Sequence, residues 1–149
     1  MMFELKRLSR HGIPRAHEMA ERYRLLNEPA QAESICRDIL AVDPENQPAL
    51  VTLLLAITDQ FEHGPAERMR EARAVLERLR SPYDRAYYEG LVCERHGRAI
   101  LGRGQPEPVA YQWLRKAMQH YADAEALRGA GNDNALLRWN ACARLIMRN

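Results

Sequence analysis

The sequence predicts an all-α protein built as an array of antiparallel helix pairs, with about seven helices including one at the C-terminus that caps the array. Three observations predict it. Apolar residues recur at three- and four-residue steps through most of the chain, as one buried face of a helix requires. Pro and Gly fall mainly at the junctions between these periodic stretches. No run alternates apolar and polar residues for long enough to argue for a strand.

The first helix carries Ala16, Met19, Ala20 and Tyr23 on one face, with His17, Glu18, Glu21 and Arg22 largely off it. Pro29 suits a first helical turn, where its missing N–H costs nothing, so a second helix begins near it. In that helix Ala32, Ile35, Cys36, Ile39 and Leu40 form the apolar stripe, small Ala32 lets the two backbones approach, and Asp43-Pro44 stops the helix after Val42. Two stripes make little interior between them. More helices must cover the outer faces.

This stretch, centred on Tyr23 to Asn46, resembles the tetratricopeptide repeat, whose helix-turn-helix units of ~34 residues stack into a superhelix. The family's packing positions match Met19, Ala20, Tyr23, Ala32, Cys36, Ile39 and the closing Pro44; its usual tryptophan is Ala16 here, and its usual first-helix glycine is Ala20. The second unit opens at Gln47-Pro48 with the stripe Leu50, Leu53, Leu54 and Ile57. Its partner helix, Ala66 to Arg80, carries Ala72, Val75, Leu76 and Leu79 after a long connection, Phe61 to Pro65. Ser81-Pro82 marks the next boundary and an N-cap. In the third unit Gly90 and Gly97 fall where the family most often has glycine. Its second helix, from Pro106 to about Leu127, uses Val109, Ala110, Trp113, Leu114, Ala117 and Tyr121, after an enlarged loop Gly102 to Pro106. Asn132 or Asp133 caps a last helix bearing Ala135, Leu136, Trp139, Cys142, Ala143 and Ile146. The expected organisation is thus one domain over residues 1–149: a segment 1–12, repeats at 13–46, 47–81 and 82–128, and a capping helix at 132–149.

The resemblance implies a right-handed superhelix in which the first helix of each unit lines a concave groove. Matched positions place His17, Glu21, Arg24 and Leu25 there from the first unit, Val51, Leu55, Thr58 and Asp59 from the second, and Asp84, Tyr87, Leu91, Glu94 and Arg95 from the third. A peptide or partner helix would anchor near Val51, Leu55, Tyr87 and Leu91, with Arg24 and Arg95 meeting its carboxylates or carbonyls. The other reading of the same residues is an ordinary solvated surface, partly covered by Phe3, Leu5 and Leu8. The Lys, Asn and Arg set with which some family members grip chaperone tails is absent, since His17, Glu21 and Val51 stand at the equivalent places. Bacterial three-repeat secretion chaperones have a similar size, but no residue signature assigns the chain to them.

Composition fits one helical domain, long enough at 149 residues to build a core without staples. Cys36, Cys93 and Cys142 are scattered singly on or beside apolar stripes and read as small buried residues in a reducing compartment. The net charge of +2 hides a gradient: fifteen acids face ten arginines between residues 16 and 97, whereas eight bases face four acids between 98 and 149. No dense basic stripe accompanies it, so nucleic acid is not the expected partner. The five histidines include no zinc spacing, and no nucleophile elbow, phosphate-cradling loop or dinucleotide fingerprint is present. His63 and His96 are expected at helix ends or turns. No catalytic residue, metal or cofactor is expected. The N-terminal MMFELKRLSR lacks the apolar run of a secretory signal, so a cytoplasmic location without a membrane span is expected. A non-enzymatic, protein-binding scaffold or adaptor is the functional expectation. The alternatives are self-assembly through the groove or the last helix, with exposed Trp139 or Tyr121 as anchor, and a nucleic-acid-associated solenoid using the arginines of the ends.

Overall fold

The structure, a computed structural model, describes residues 2–63, 65–105 and 107–148. Among the described residues it is all-helical: α1 (Ile13–Leu25), α2 (Pro29–Val42), α3 (Gln47–Thr58), α4 (Pro65–Leu76), α5 (Pro82–Gly102), α6 (Glu107–Leu127) and α7 (Asn134–Met147), with a single 3-10 turn at Arg10–Gly12 before them. None of the helices is long and apolar enough to cross a membrane. The chain divides into two compact units, residues 1–60 and 61–149. The division falls inside the span read from sequence as the second repeat.

Unit 1 holds α1, α2 and α3, and α2 packs against both of the others. The turn from α1 to α2 is a Schellman motif: Glu28 N–H reaches the Tyr23 carbonyl at 2.9 Å, and Asn27 N–H reaches that of Arg24 at 3.0 Å. Asn27 sits at φ 61°, the left-handed region in which Asn is the most tolerated residue after Gly. α2 begins at Pro29 and ends at Val42, as its stop signals require. Asn46 caps α3, its Oδ1 accepting from Ala49 N–H at 2.9 Å. Ala20, Ala32, Cys36, Ile39, Leu50, Leu53, Leu54 and Ile57 are all buried. α3 is buried on almost every side, which its largely apolar sequence allows.

Unit 2 holds α4 to α7, with α5 against α4 and α6, and α6 against α7. Ser81 caps α5, its Oγ accepting from Asp84 N–H at 3.2 Å. α4 stops at Leu76, short of the expected Arg80, but Leu79 is still buried in the following turn. The expected start of α6 at Pro106 lies outside the described residues, as does Gly64 of the long connection. Gly90 and Gly97 act by size. A Cβ on Gly90 would stand 2.8 Å from the Tyr121 ring, and one on Gly97 would stand 3.1 Å from the Ala110 carbonyl, so glycine at both lets α5 lie close on α6. The core between α5, α6 and α7 is Cys93, Leu114, Ala117, Tyr121, Ala124, Ala135 and Cys142. At the start of α7, Asn132 Oδ1 accepts from Asn134 N–H at 3.1 Å, while Asp133 makes no side-chain cap.

Candidate functional site

The residues expected to line a groove separate into two sets with different chemistry, one in each unit. On α1 and α3 the polar groups are bonded to one another. Arg24 Nε donates to Asp59 Oδ2 at 2.7 Å, and its Nη2 reaches Oδ1 at 3.3 Å, a two-pronged pair whose planar fork matches the carboxylate. His17 Nε2 lies 2.9 Å from Thr52 Oγ1 and 3.2 Å from the Pro48 carbonyl, with Nδ1 3.5 Å from Glu21. Thr58 is buried and donates to the Leu55 carbonyl at 2.9 Å. Leu25 stands 86% exposed, and Val51 and Leu55 are half-buried. Arg24 therefore already spends its charge inside the protein, which differs from the role expected for it toward a partner's carboxylates.

On α5 of unit 2 two of the expected groove residues turn inward. Leu91 is buried, and Glu94 is only 1% exposed, so neither is a surface anchor. Glu94 is the centre of a polar cluster. Tyr121 Oη donates to it at 2.7 Å from α6, Arg98 Nε at 2.8 Å from the next turn of α5, and Arg138 Nε at 3.2 Å from α7, with a further bond from Arg138 Nη2. Burial alone would push the Glu94 carboxyl up, but hydrogen bonds from Arg138, Tyr121 and Arg98 together hold it below the usual carboxylate range. Tyr121 is fully buried at this cluster, which corrects its expected role as an exposed anchor.

Asp84, Tyr87 and Arg95 remain half-buried on the same helix. Asp84 and Tyr87 are three residues apart and so share a face. Tyr83 stacks on Tyr87 at 5.8 Å between ring centroids and 12° between planes, and Tyr88 meets Tyr87 edge-on at 5.0 Å. The Asp84 carboxylate has no ion-pair partner among the described residues, and partial burial raises it above the usual carboxylate range. Sequence reasoning named Asp84 and Tyr87 but missed Tyr83, whose i, i+4 spacing from Tyr87 was the available signal.

His96, expected at a helix end, is instead inside α5. Its ring meets Trp113 edge-on at 4.5 Å and Phe61 at 5.9 Å, and its buried Nδ1 has no hydrogen-bond partner among the described residues. Burial, with the charges of Arg103 and Arg73, pushes the imidazole below its usual range. All three cysteines are free and buried, and burial pushes Cys36 and Cys142 up to about 12 and Cys93 up to about 11. Among the described residues no three His, Cys, Asp or Glu side chains gather as a metal site requires. Comparison with known proteins finds no family model, curated protein or solved structure that matches the chain.

Proposed function

We propose that the chain is a non-enzymatic protein-binding scaffold of the tetratricopeptide-like kind, working in the cytoplasm, and that the α5 face recognises a basic side chain of a partner peptide. The observation that carries this reading is the half-buried Asp84 carboxylate, without an ion-pair partner among the described residues, one residue after Tyr83 and three before Tyr87 on the helix that carries their stacked rings. A Lys or Arg from a peptide gains twice there. Its cation meets an aromatic face, an interaction worth about 0.5–2 kcal/mol depending on desolvation, and it supplies the counter-charge that the carboxylate lacks. Tyrosines held on a helix lose little conformational freedom on binding, which suits them as interface anchors.

The polar pairs of α1 and α3 support a different task. A ligand on that face meets Arg24 and Asp59 as a neutralised pair, so the apolar Leu25, Val51 and Leu55 supply its contacts.

An array of immobilised peptides varying one position among Lys, Arg, Gln and Glu tests the reading. Binding should favour Lys and Arg, and should fall about tenfold in Asp84→Asn and further in Tyr87→Ala, with the helical circular dichroism of both variants unchanged. Binding indifferent to the sign of the varied residue, or untouched by both substitutions, would overturn it.

A further inference from the structure

Separate from the α5 face, an apolar cleft of about 460 Å³ opens on the outer side of the last helix pair, bounded by Met118 and Ala122 of α6 and by Trp139, Ala143, Ile146 and Met147 of α7. These residues step by three or four along each helix, so the two helices present parallel apolar edges with a valley between them. Trp139 is 38% exposed and Met147 74% exposed on this edge. Its volume lies within the ~300–1,000 Å³ range of binding clefts. Two helix edges with a valley between them suit a third, amphipathic helix laid in the groove.

Charge decides what kind of helix. Among the described residues of the lining, only Arg115 and Gln119 are polar. α7 from Asn134 to Met147 contains Arg138 and Arg144 and no carboxylate, and Arg148 follows it. Arg138 is held by Glu94, but Arg115, Arg144 and Arg148 have no ion-pair partner among the described residues. Of the carboxylates nearest on this helix pair, Glu125 and Asp133 are engaged by Arg128, and Asp123 accepts from Gln119 Nε2 at 3.4 Å. A helix is only about 10 Å across, so charges on the flanks of α7 lie within about a Debye length of its apolar edge. A second copy would bring a carboxylate-free α7 against another one, Arg against Arg. The exposed apolar residues Met2, Phe3 and Leu5 of another copy would arrive with Lys6, Arg7 and Arg10 against Glu4 alone. Both occupants are cationic, as the cleft is.

We infer that the α6/α7 cleft docks an acidic amphipathic helix of another protein, with apolar anchors at i, i+3 or i+4, and i+7 filling the valley and with Glu or Asp on its flanks meeting Arg115 and the α7 arginines.

The test uses the full chain and three synthetic helical peptides of about five turns, identical in their Leu, Ile and Phe anchors and flanked by Glu, by Gln or by Lys. Titration calorimetry should show the Glu peptide binding about tenfold or more tightly than the Lys peptide, with the difference shrinking as salt is added. Trp139→Ala should weaken the Glu peptide about thirtyfold, as loss of a buried aromatic anchor does. Arg115→Glu, at an exposed position, should reverse the preference toward the Lys peptide. Preserved helical circular dichroism and an unchanged cooperative melt keep both variants interpretable. Four results would overturn the inference: no binding of the Glu peptide, binding blind to flank charge, binding untouched by Trp139→Ala, or sedimentation showing a dimer of the free chain that Trp139→Ala dissociates. Displacement of the Glu peptide by an excess of a peptide of residues 2–10 would likewise overturn it, by assigning the cleft to this chain's own arm.

Discussion

Glu94 concentrates more consequence than any other single residue of unit 2. Its carboxylate is buried and takes hydrogen bonds from three helices, through its own neighbour Arg98, Tyr121 and Arg138. Glu94→Ala strips all of them at once and leaves the Tyr121 hydroxyl without an acceptor. A loss of about 3 kcal/mol is expected, since breaking a buried pair costs about 3–5 kcal/mol, and half-exposed Arg98 and Arg138 recover water. Urea denaturation followed by tryptophan fluorescence measures it. Acid sensitivity belongs to this scale too. The folded protein lowers both His96 and Glu94, so in each case the unfolded chain binds the proton first and stability falls as pH falls. The windows differ. The His96 contribution is lost below its unfolded value of about 6.5, and that of Glu94 below about 4.3. Thermal melts across this range should show two descending steps, and His96→Phe, which keeps an aromatic ring against Trp113 and Phe61, should remove the upper one. A melting temperature flat from pH 7 to pH 5 in the parent chain would refute this assignment.

At the scale of helices, the close approach of α5 and α6 rests on Gly90. Gly90→Ala adds a Cβ at 2.8 Å from a ring whose hydroxyl is tied to Glu94, so the ring cannot simply swing away. Overpacking of this kind costs about 1–3 kcal/mol, more than the ~1 kcal/mol that Ala gains over Gly in a helix. A net loss of about 1 kcal/mol is expected, and a denaturant melt with a stability equal to the parent's would show that α5 yields instead. Helices of this kind were legible in the sequence wherever punctuation was local: Pro29, the stop at Asp43-Pro44, Ser81 before Pro82, and the stripes that follow each. What was not legible depended on distant partners. Glu94 and Arg138 are 44 residues apart, and nothing in either local pattern marks Glu94 as buried. Tyr121 lies on a helical stripe and was compatible with either a core or a rim position, until the hollow left by Gly90 opposite it decided the matter. Of the candidate groove, the α1 and α3 residues came from positions matched to the repeat family, and the Arg24–Asp59 pair among them is a 35-residue contact that periodicity does not carry.

For the whole molecule, the division into residues 1–60 and 61–149 has a practical reading. Trp113 and Trp139 both lie in the second unit, and Cys36 is the single cysteine of the first. Intrinsic fluorescence therefore follows unit 2, and the Cys36 thiol follows unit 1. With all three thiols buried and pushed well above neutral pH, none should react with a thiol reagent in the native protein at pH 8, and labelling should appear only with unfolding. Peptide mapping after a brief pulse of labelling at rising denaturant reads each unit separately, and rapid modification of any of the three without denaturant would contradict the burial described. The boundary was not legible because both units share one helical texture: the shift in composition across residue 60, with one of the eight glycines and two of the ten aromatic residues before it, does not interrupt the helical pattern.

Tyr121 ties positions 90, 94, 121 and 138 into one lock: the ring fills the hollow over Gly90, its hydroxyl satisfies Glu94, and Glu94 in turn holds Arg138. A change at any one of them alone leaves a clash, a void or a stranded charge. In descendants of this chain the four sites are expected to drift as a set, a bulkier residue at 90 arriving with a smaller one at 121, and an apolar residue at 94 releasing 138 from its arginine. Such concerted substitution would be the evolutionary trace of a contact that no single stretch of the sequence reveals.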